Sequence, residues 1–245
     1  MLCSKDGKTL LEGVNGDFVM SDEIVDIAPC AFCDRYGLTS VTIPRSVTNV
    51  GQFAFARCPA LKSVVIEGAD VFIGEGAFDE CNAVTSVTMS GDAGSAWWIF
   101  NSSYENITNV VIVNGSTRIV DCAFDGFMSL ISVKLPVGIK HIGDCAFQGC
   151  DRLQSIVLPE GLENIGMDAF GGAGLVSLEM PSSVTKIGAG AFACSRVEAI
   201  EIPDGVEVIA EDTFYCCEEM LSVEIPNSVE EICDYAFARC PNLKN

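Results

Sequence analysis

The sequence predicts a repeat solenoid, mainly β with short helical turns, in which about ten coils of ~23 residues stack to form a parallel β-sheet along one face. Two columns of recurring residues predict it. An aromatic column, mostly as an Ala-Phe pair, runs through Phe32, Phe55, Phe78, Phe124, Phe147, Phe170, Phe192, Phe214 and Phe237, with successive spacings of 23, 23, 46, 23, 23, 22, 22 and 23. Ahead of most of these pairs stands an apolar frame closed by proline, as in Leu38-Thr-Ser-Val-Thr-Ile-Pro44, Leu130-Ile-Ser-Val-Lys-Leu-Pro136 and Leu175-Val-Ser-Leu-Glu-Met-Pro181.

Each part of the coil has its own reason. The last two apolar residues before the proline alternate with polar ones, the period of a half-buried strand. Proline ends the strand because it cannot donate to a ladder. Next come Val47-x-x-Val50-Gly51, Ile139-x-x-Ile142-Gly143 and Val184-x-x-Ile187-Gly188, two more inward residues and a small one read as allowing a sharp turn. A short helical turn is expected at the Ala-Phe pair. One coil cannot bury its own apolar edge, so neighbours must stack in register, with like positions ~4.8 Å apart.

The ends and one interior segment depart from the pattern. Residues 1–17 read as a hairpin that covers the edge of the first strand, on the strength of Asp6-Gly7 between two short runs. The first strand is expected near Phe18 and Met20. The solenoid spans 18–245, and its last coil breaks off after Leu243, an expectation that the repeat continues. Between 90 and 120 the repeat degenerates: the Ala-Phe pair is missing, Asn101 stands at its register, and both tryptophans, Trp97 and Trp98, gather there with Phe100 and Tyr104. These rings read first as a refilled core and second as an aromatic binding patch.

Composition narrows the function. A formal charge of −20 over 245 residues argues against nucleic acid, and no apolar run is long enough for a transmembrane helix, so neither nucleic-acid binding nor membrane insertion is expected. Thirteen cysteines cannot all pair internally. Cys58, Cys81, Cys150, Cys217 and Cys240 each stand three residues after the repeat Phe, and Cys122 and Cys145 two before it, so they read as small packing residues. Adjacent rungs lie at a disulfide-compatible Cα distance, but their parallel Cβ vectors suit the disulfide torsion poorly. A single histidine, His141, removes multi-histidine metal sites and weakens Ser-His or Cys-His catalysis. No catalytic residue, metal site or cofactor is expected.

The frame L-x-S-V-x-I-P-x-x-V-x-x-I-G-x-x-A-F-x-x-C resembles the BspA-type leucine-rich repeats of bacterial surface proteins and some protozoan proteins, over nearly the whole chain. That resemblance implies a leucine-rich repeat solenoid, a role in adhesion or partner binding, and a cell-surface or secreted location. It brings no shared catalytic residues.

The candidate contact residues are the exposed strand positions two before the proline: Thr42, Thr88, Lys134, Glu179, Glu201 and Glu224, with Trp97, Trp98 and Tyr104 of the aberrant segment. Glu179, Glu201 and Glu224 occupy consecutive rungs, where like charges repel across a ladder, so a cationic partner would relieve them. The resulting expectation is a non-catalytic interaction or adhesion module for a protein or glycan, possibly basic. The alternative is an architectural spacer for another domain of a longer protein.

Overall fold

The computed structural model describes residues 1–68, 71–90, 96–113 and 115–244, without the side chains of Ala96, Trp97, Asn101 and Ser102. It is a parallel β-solenoid with very little helix, and its turns number about eight among the described residues, slightly fewer than ten. Backbone proximity divides the chain into two units, Met1–Val113 and Asn114–Asn245.

In the first unit two ladders run side by side through successive coils. The long strands Ser40–Ile43, Ser63–Ile66, Ser86–Met89 and Asn109–Ile112 pair in parallel, with Val41, Val64, Val87 and Val110 on one inward rung line. Shorter pairs, Asp26–Ile27, Asn49–Val50 and Phe72–Ile73, form a second parallel ladder. Its first member is Thr9–Glu12, which also pairs antiparallel with Leu2–Cys3 to close the N-terminal hairpin. No strand forms at Phe18 or Met20; instead Phe18 places its ring on Phe32, with centroids 5.0 Å apart.

The second unit repeats this plan less regularly. Arg118–Ile119, His141–Ile142, Asn164–Ile165 and Lys186–Ile187 make one parallel ladder, and Val208–Ile209 pairs with Glu231–Ile232. On the other side Ala199–Glu201 pairs with Ser222–Glu224, while the frames at 153–158 and 175–180 hold no regular strand. There the coils are joined by single links such as the Val176 N–H donating to the Gln154 carbonyl at 3.0 Å.

The Ala-Phe segments are linked turns rather than the expected helical turns. Residues two before and two after the Phe take positive φ, as Cys30 (57°) and Asp34 (60°) do around Phe32, or Cys145 (55°) and Gly149 (66°) around Phe147. With left-handed and right-handed residues alternating, every second N–H points toward the next coil. Thus Cys30, Phe32 and Asp34 donate to the carbonyls of Gln52, Ala54 and Ala56, at 3.1, 2.6 and 3.1 Å. The same triplet recurs at Cys122, Phe124 and Gly126, and at Cys194 and Cys216 after their rings. This third ladder satisfies backbone groups that a helix would have bonded internally.

The rings themselves stack. Phe32, Phe55, Phe78 and Phe100 repeat at 4.7–5.2 Å, and Phe124, Phe147, Phe170, Phe192, Phe214 and Phe237 at 5.3–5.6 Å, all within 25° of parallel. Most are completely buried, each contributing roughly 1.5–3 kcal/mol of apolar burial. Phe100, not Asn101, fills the register that lacks the Ala-Phe pair, with Ile99 in the place of Ala.

Gly51, Gly143 and Gly188 are required for a different reason from turn sharpness. A Cβ on Gly51 would lie 2.4 Å from the Pro29 nitrogen, and on Gly188 2.5 Å from that of Met167. The preceding coil's backbone passes too close for any side chain.

Candidate binding surface

The long strands alternate inward and outward residues, and their outward column forms the most regular exposed feature of each unit. In the first unit Thr42, Val65, Thr88 and Val111 lie opposite one another along the ladder. Thr42 is exposed and Thr88 half-buried. Beside Thr42 a groove of about 500 Å³ is lined by Asp17, Phe18, Val19, Met20, Ser40 and Glu67 among others. Val19 stands 95% exposed on it. Sequence reasoning missed this groove because Asp17–Met20 precede the first complete copy of the repeat.

Asp17 ties that edge to the first long strand. Its carboxylate accepts from the backbone N–H of Thr39 at 2.7 Å and of Ser40 at 2.9 Å, and from the Thr39 hydroxyl. Those donors, the Thr39 hydroxyl foremost, hold the Asp17 pKa below the usual carboxylate value.

In the second unit Glu201 and Glu224 sit directly opposite each other. Both are exposed, and Glu179 shares with them a shallow depression of about 480 Å³ floored by Leu178 and Ile200. A neighbouring depression adds Asp204 to Glu201 and Glu224. The glutamate column therefore comes together as a compact anionic surface. Lys134 is exposed at the end of its own strand, Ser132–Lys134, and lines neither of these two depressions. Val157, in the same column at 84% exposure, is an apolar contact position.

The aromatic candidates lie on another edge. Trp98 stands two residues before Phe100, and its carbonyl accepts from the Gly76 N–H at 3.4 Å, so it belongs to the turn ladder. It is 47% exposed, in the same column as the partly exposed Phe53. Tyr104 is half-buried in the 3-10 turn Asn101–Asn106, and the Trp97 side chain lies outside the described residues. The refilled core and the exposed ring are thus divided between two residues, Phe100 and Trp98.

The cysteine column three after the Phe has a specific bonding role. Cys58, Cys81, Cys150, Cys217 and Cys240 each direct Sγ to the carbonyl oxygen of the Phe one coil back, at 3.0–3.3 Å. A thiol is small enough to be buried there and supplies a weak donor to that carbonyl. Burial pushes the Cys217 thiol up to about 11. Where Cys194 falls one residue short, buried Ser195 takes the vacated place, and its Oγ lies 3.5 Å from Cys217 Sγ. Cys30 and Cys33 straddle the turn at Phe32, and Cys33 donates to the Phe53 carbonyl at 3.0 Å. Among the described residues no group of three or more His, Cys, Asp or Glu side chains is placed to hold a metal ion.

Comparison with known proteins agrees with this architecture. The family model of the BspA-type leucine-rich repeat region matches residues 15–130 and 117–244, in six copies. The chain belongs to the BspA-type leucine-rich repeat family. A leucine-rich repeat protein from Bacteroides ovatus is similar in structure, with a TM-score of 0.67 at 23% identity over 91% of this chain. The match spans 58% of that protein's length. A leucine-rich repeat protein of T. pallidum matches 91% of this chain and 72% of its own length, at 24% identity and a TM-score of 0.47. A leucine rich cell surface protein from Faecalibacterium prausnitzii is 26% identical over 97% of this chain and 86% of its own, with a TM-score of 0.37. Among curated proteins nothing matches the chain. No helix among the described residues is long and apolar enough to cross a membrane.

Proposed function

We propose that this leucine-rich repeat chain is a non-catalytic interaction or adhesion module, secreted or displayed at a cell surface, that offers its outward strand columns to a protein or glycan. The observation that carries this reading is the contrast within each coil. The inward columns repeat the same few apolar residues, while the outward column changes from Thr42 and Thr88 to Glu201 and Glu224. A preformed surface of this kind binds without folding first, which keeps the entropic cost of association low.

The second unit suits a basic partner. Glu179, Glu201, Asp204 and Glu224 lie around two adjoining depressions, and no lysine or arginine interrupts the chain between Arg196 and Arg239. Opposed carboxylates cost stability on a ladder, and a cationic side chain between them removes that cost. The test is binding of the full chain to an immobilised lysine-rich polypeptide and to a neutral glycan array, with and without Glu179→Gln, Glu201→Gln and Glu224→Gln together. Weaker binding to the polypeptide with a flatter salt dependence supports the proposal. Unchanged polypeptide binding in the triple variant retires the glutamate column as the contact.

A further inference from the structure

Two cysteine pairs remain outside the packing column. Cys122 and Cys145 stand two residues before Phe124 and Phe147, and Cys194 and Cys216 two after Phe192 and Phe214. Each pair occupies like positions on consecutive coils of the turn ladder. Cys122 donates its N–H to Asp144 and Cys145 to Met167, both at 2.8 Å; Cys194 donates to Tyr215 at 2.7 Å and Cys216 to Ala238 at 2.9 Å. All four have positive φ, 53° and 55° in the first pair, 57° and 56° in the second. Equal backbone conformations on hydrogen-bonded rungs point the two Cβ vectors of a pair the same way. Cys194 is exposed and the other three are half-buried, so each pair is open to solvent.

We propose that the Cys122–Cys145 and Cys194–Cys216 rungs are two-thiolate sites for a soft monovalent cation of the copper(I) class. Coil spacing is the first reason. The rings beside the two pairs repeat at 5.4 and 5.6 Å. A linear sulfur–metal–sulfur bridge needs sulfurs about 4.6 Å apart, twice a metal–thiolate bond of ~2.3 Å, which two parallel side chains reach with a slight lean. A disulfide instead needs Cβ atoms ~3.8 Å apart and sulfurs ~2.05 Å apart, so although the coil spacing suits its Cα distance, the two parallel side chains would have to turn toward each other.

Ligand type is the second reason. Thiolates select soft metals, and with no third donor grouped nearby among the described residues, four-coordinate zinc and oxygen-seeking calcium are poorly served. Charge is the third. Asp168 and Asp125 act on Cys145, and Glu218 on Cys194, so each site is set in a negative field that favours a cation. Binding breaks two S–H bonds and forms two metal–sulfur bonds. Both protons pass to solvent, and no electron is transferred.

The test is an oxygen-free titration of the fully reduced chain with copper(I) against a competing copper(I) chelator, with bound ions and released protons counted. The double variants are Cys122→Gly/Cys145→Gly and Cys194→Gly/Cys216→Gly. Glycine already holds these two turn positions at Gly190 and Gly149, φ 65° and 66°, so the variants relax the backbone and should keep the fold. The expected result is one ion fewer in each double variant, two fewer with both together, and two fewer protons released for each ion not bound. Equal ion counts in the full chain and the variants overturn the proposal. So does an equal loss on changing Cys3, which belongs to neither pair.

Discussion

Phe32 lies on Phe55 with ring centroids 4.7 Å apart and planes 13° from parallel. That contact is the unit from which the interior column is built, because Phe55 in turn meets Phe78 at 5.0 Å. An interior ring therefore has an aromatic neighbour on each side, and its loss opens a void that neither neighbouring coil can fill without breaking its own register.

Phe55→Ala should accordingly destabilise the fold by about 3–5 kcal/mol, the cost of a large buried ring plus its cavity. Phe55→Leu should cost less, since part of the volume remains. Urea unfolding of the three proteins, followed by circular dichroism, measures the difference. Equal midpoints for wild type and Phe55→Ala would show that the column is not what holds the coils in register.

Gly143→Ala tests the close approach between coils. The new Cβ would meet Asp121 Oδ1 at 2.4 Å, its nitrogen at 2.6 Å and the Val120 carbonyl carbon at 2.7 Å. Two of these three atoms are backbone and cannot swing away, so a loss of roughly 1–3 kcal/mol is expected. No positive φ is involved at Gly143, so the loss would report crowding alone. A thermal midpoint equal to wild type would mean the coils can separate slightly without penalty.

Acid should loosen the first long strand through Asp17. Its folded pKa lies below its unfolded value of ~4, so its carboxylate stabilises the fold above that value, and the contribution disappears as pH falls through the folded pKa. Asp17→Ala should be less stable than wild type at pH 7, and the gap should close progressively below about pH 4. Denaturant midpoints of both proteins across that range give the answer. A gap independent of pH would assign the loss to packing.

How much of this was legible beforehand differs by feature. The Phe column, the proline-closed strand and the cysteine column could all be read by counting, since a stacked coil must present the same inward residue at the same place. The bonding role of that cysteine column could not. Cys58 and Phe32 are 26 residues apart, and their 3.1 Å contact exists only once the coils are stacked. Counting puts the missing ring register at Asn101, but the column is completed by Phe100, because the aberrant segment reaches that position one residue earlier.

The candidate surface divides along the same line. Exposure of Thr42, Lys134, Glu201 and Glu224 follows from strand alternation, a period of two visible in the letters. The meeting of Glu201 with Glu224 follows from the repeat register in the same way. The groove of Thr42 beside Val19 and the place of Trp98 on the turn edge depend on where the backbone changes direction.

The sequence by itself determined the coil length, the inward columns and the family, because each is a repeated one-dimensional pattern forced by burial of an apolar edge. Only the tertiary structure decided the left-handed turns and the glycine clearances. Those follow from hydrogen bonds between neighbouring coils, which hold Cys145 at a φ of 55° although an isolated cysteine would avoid it.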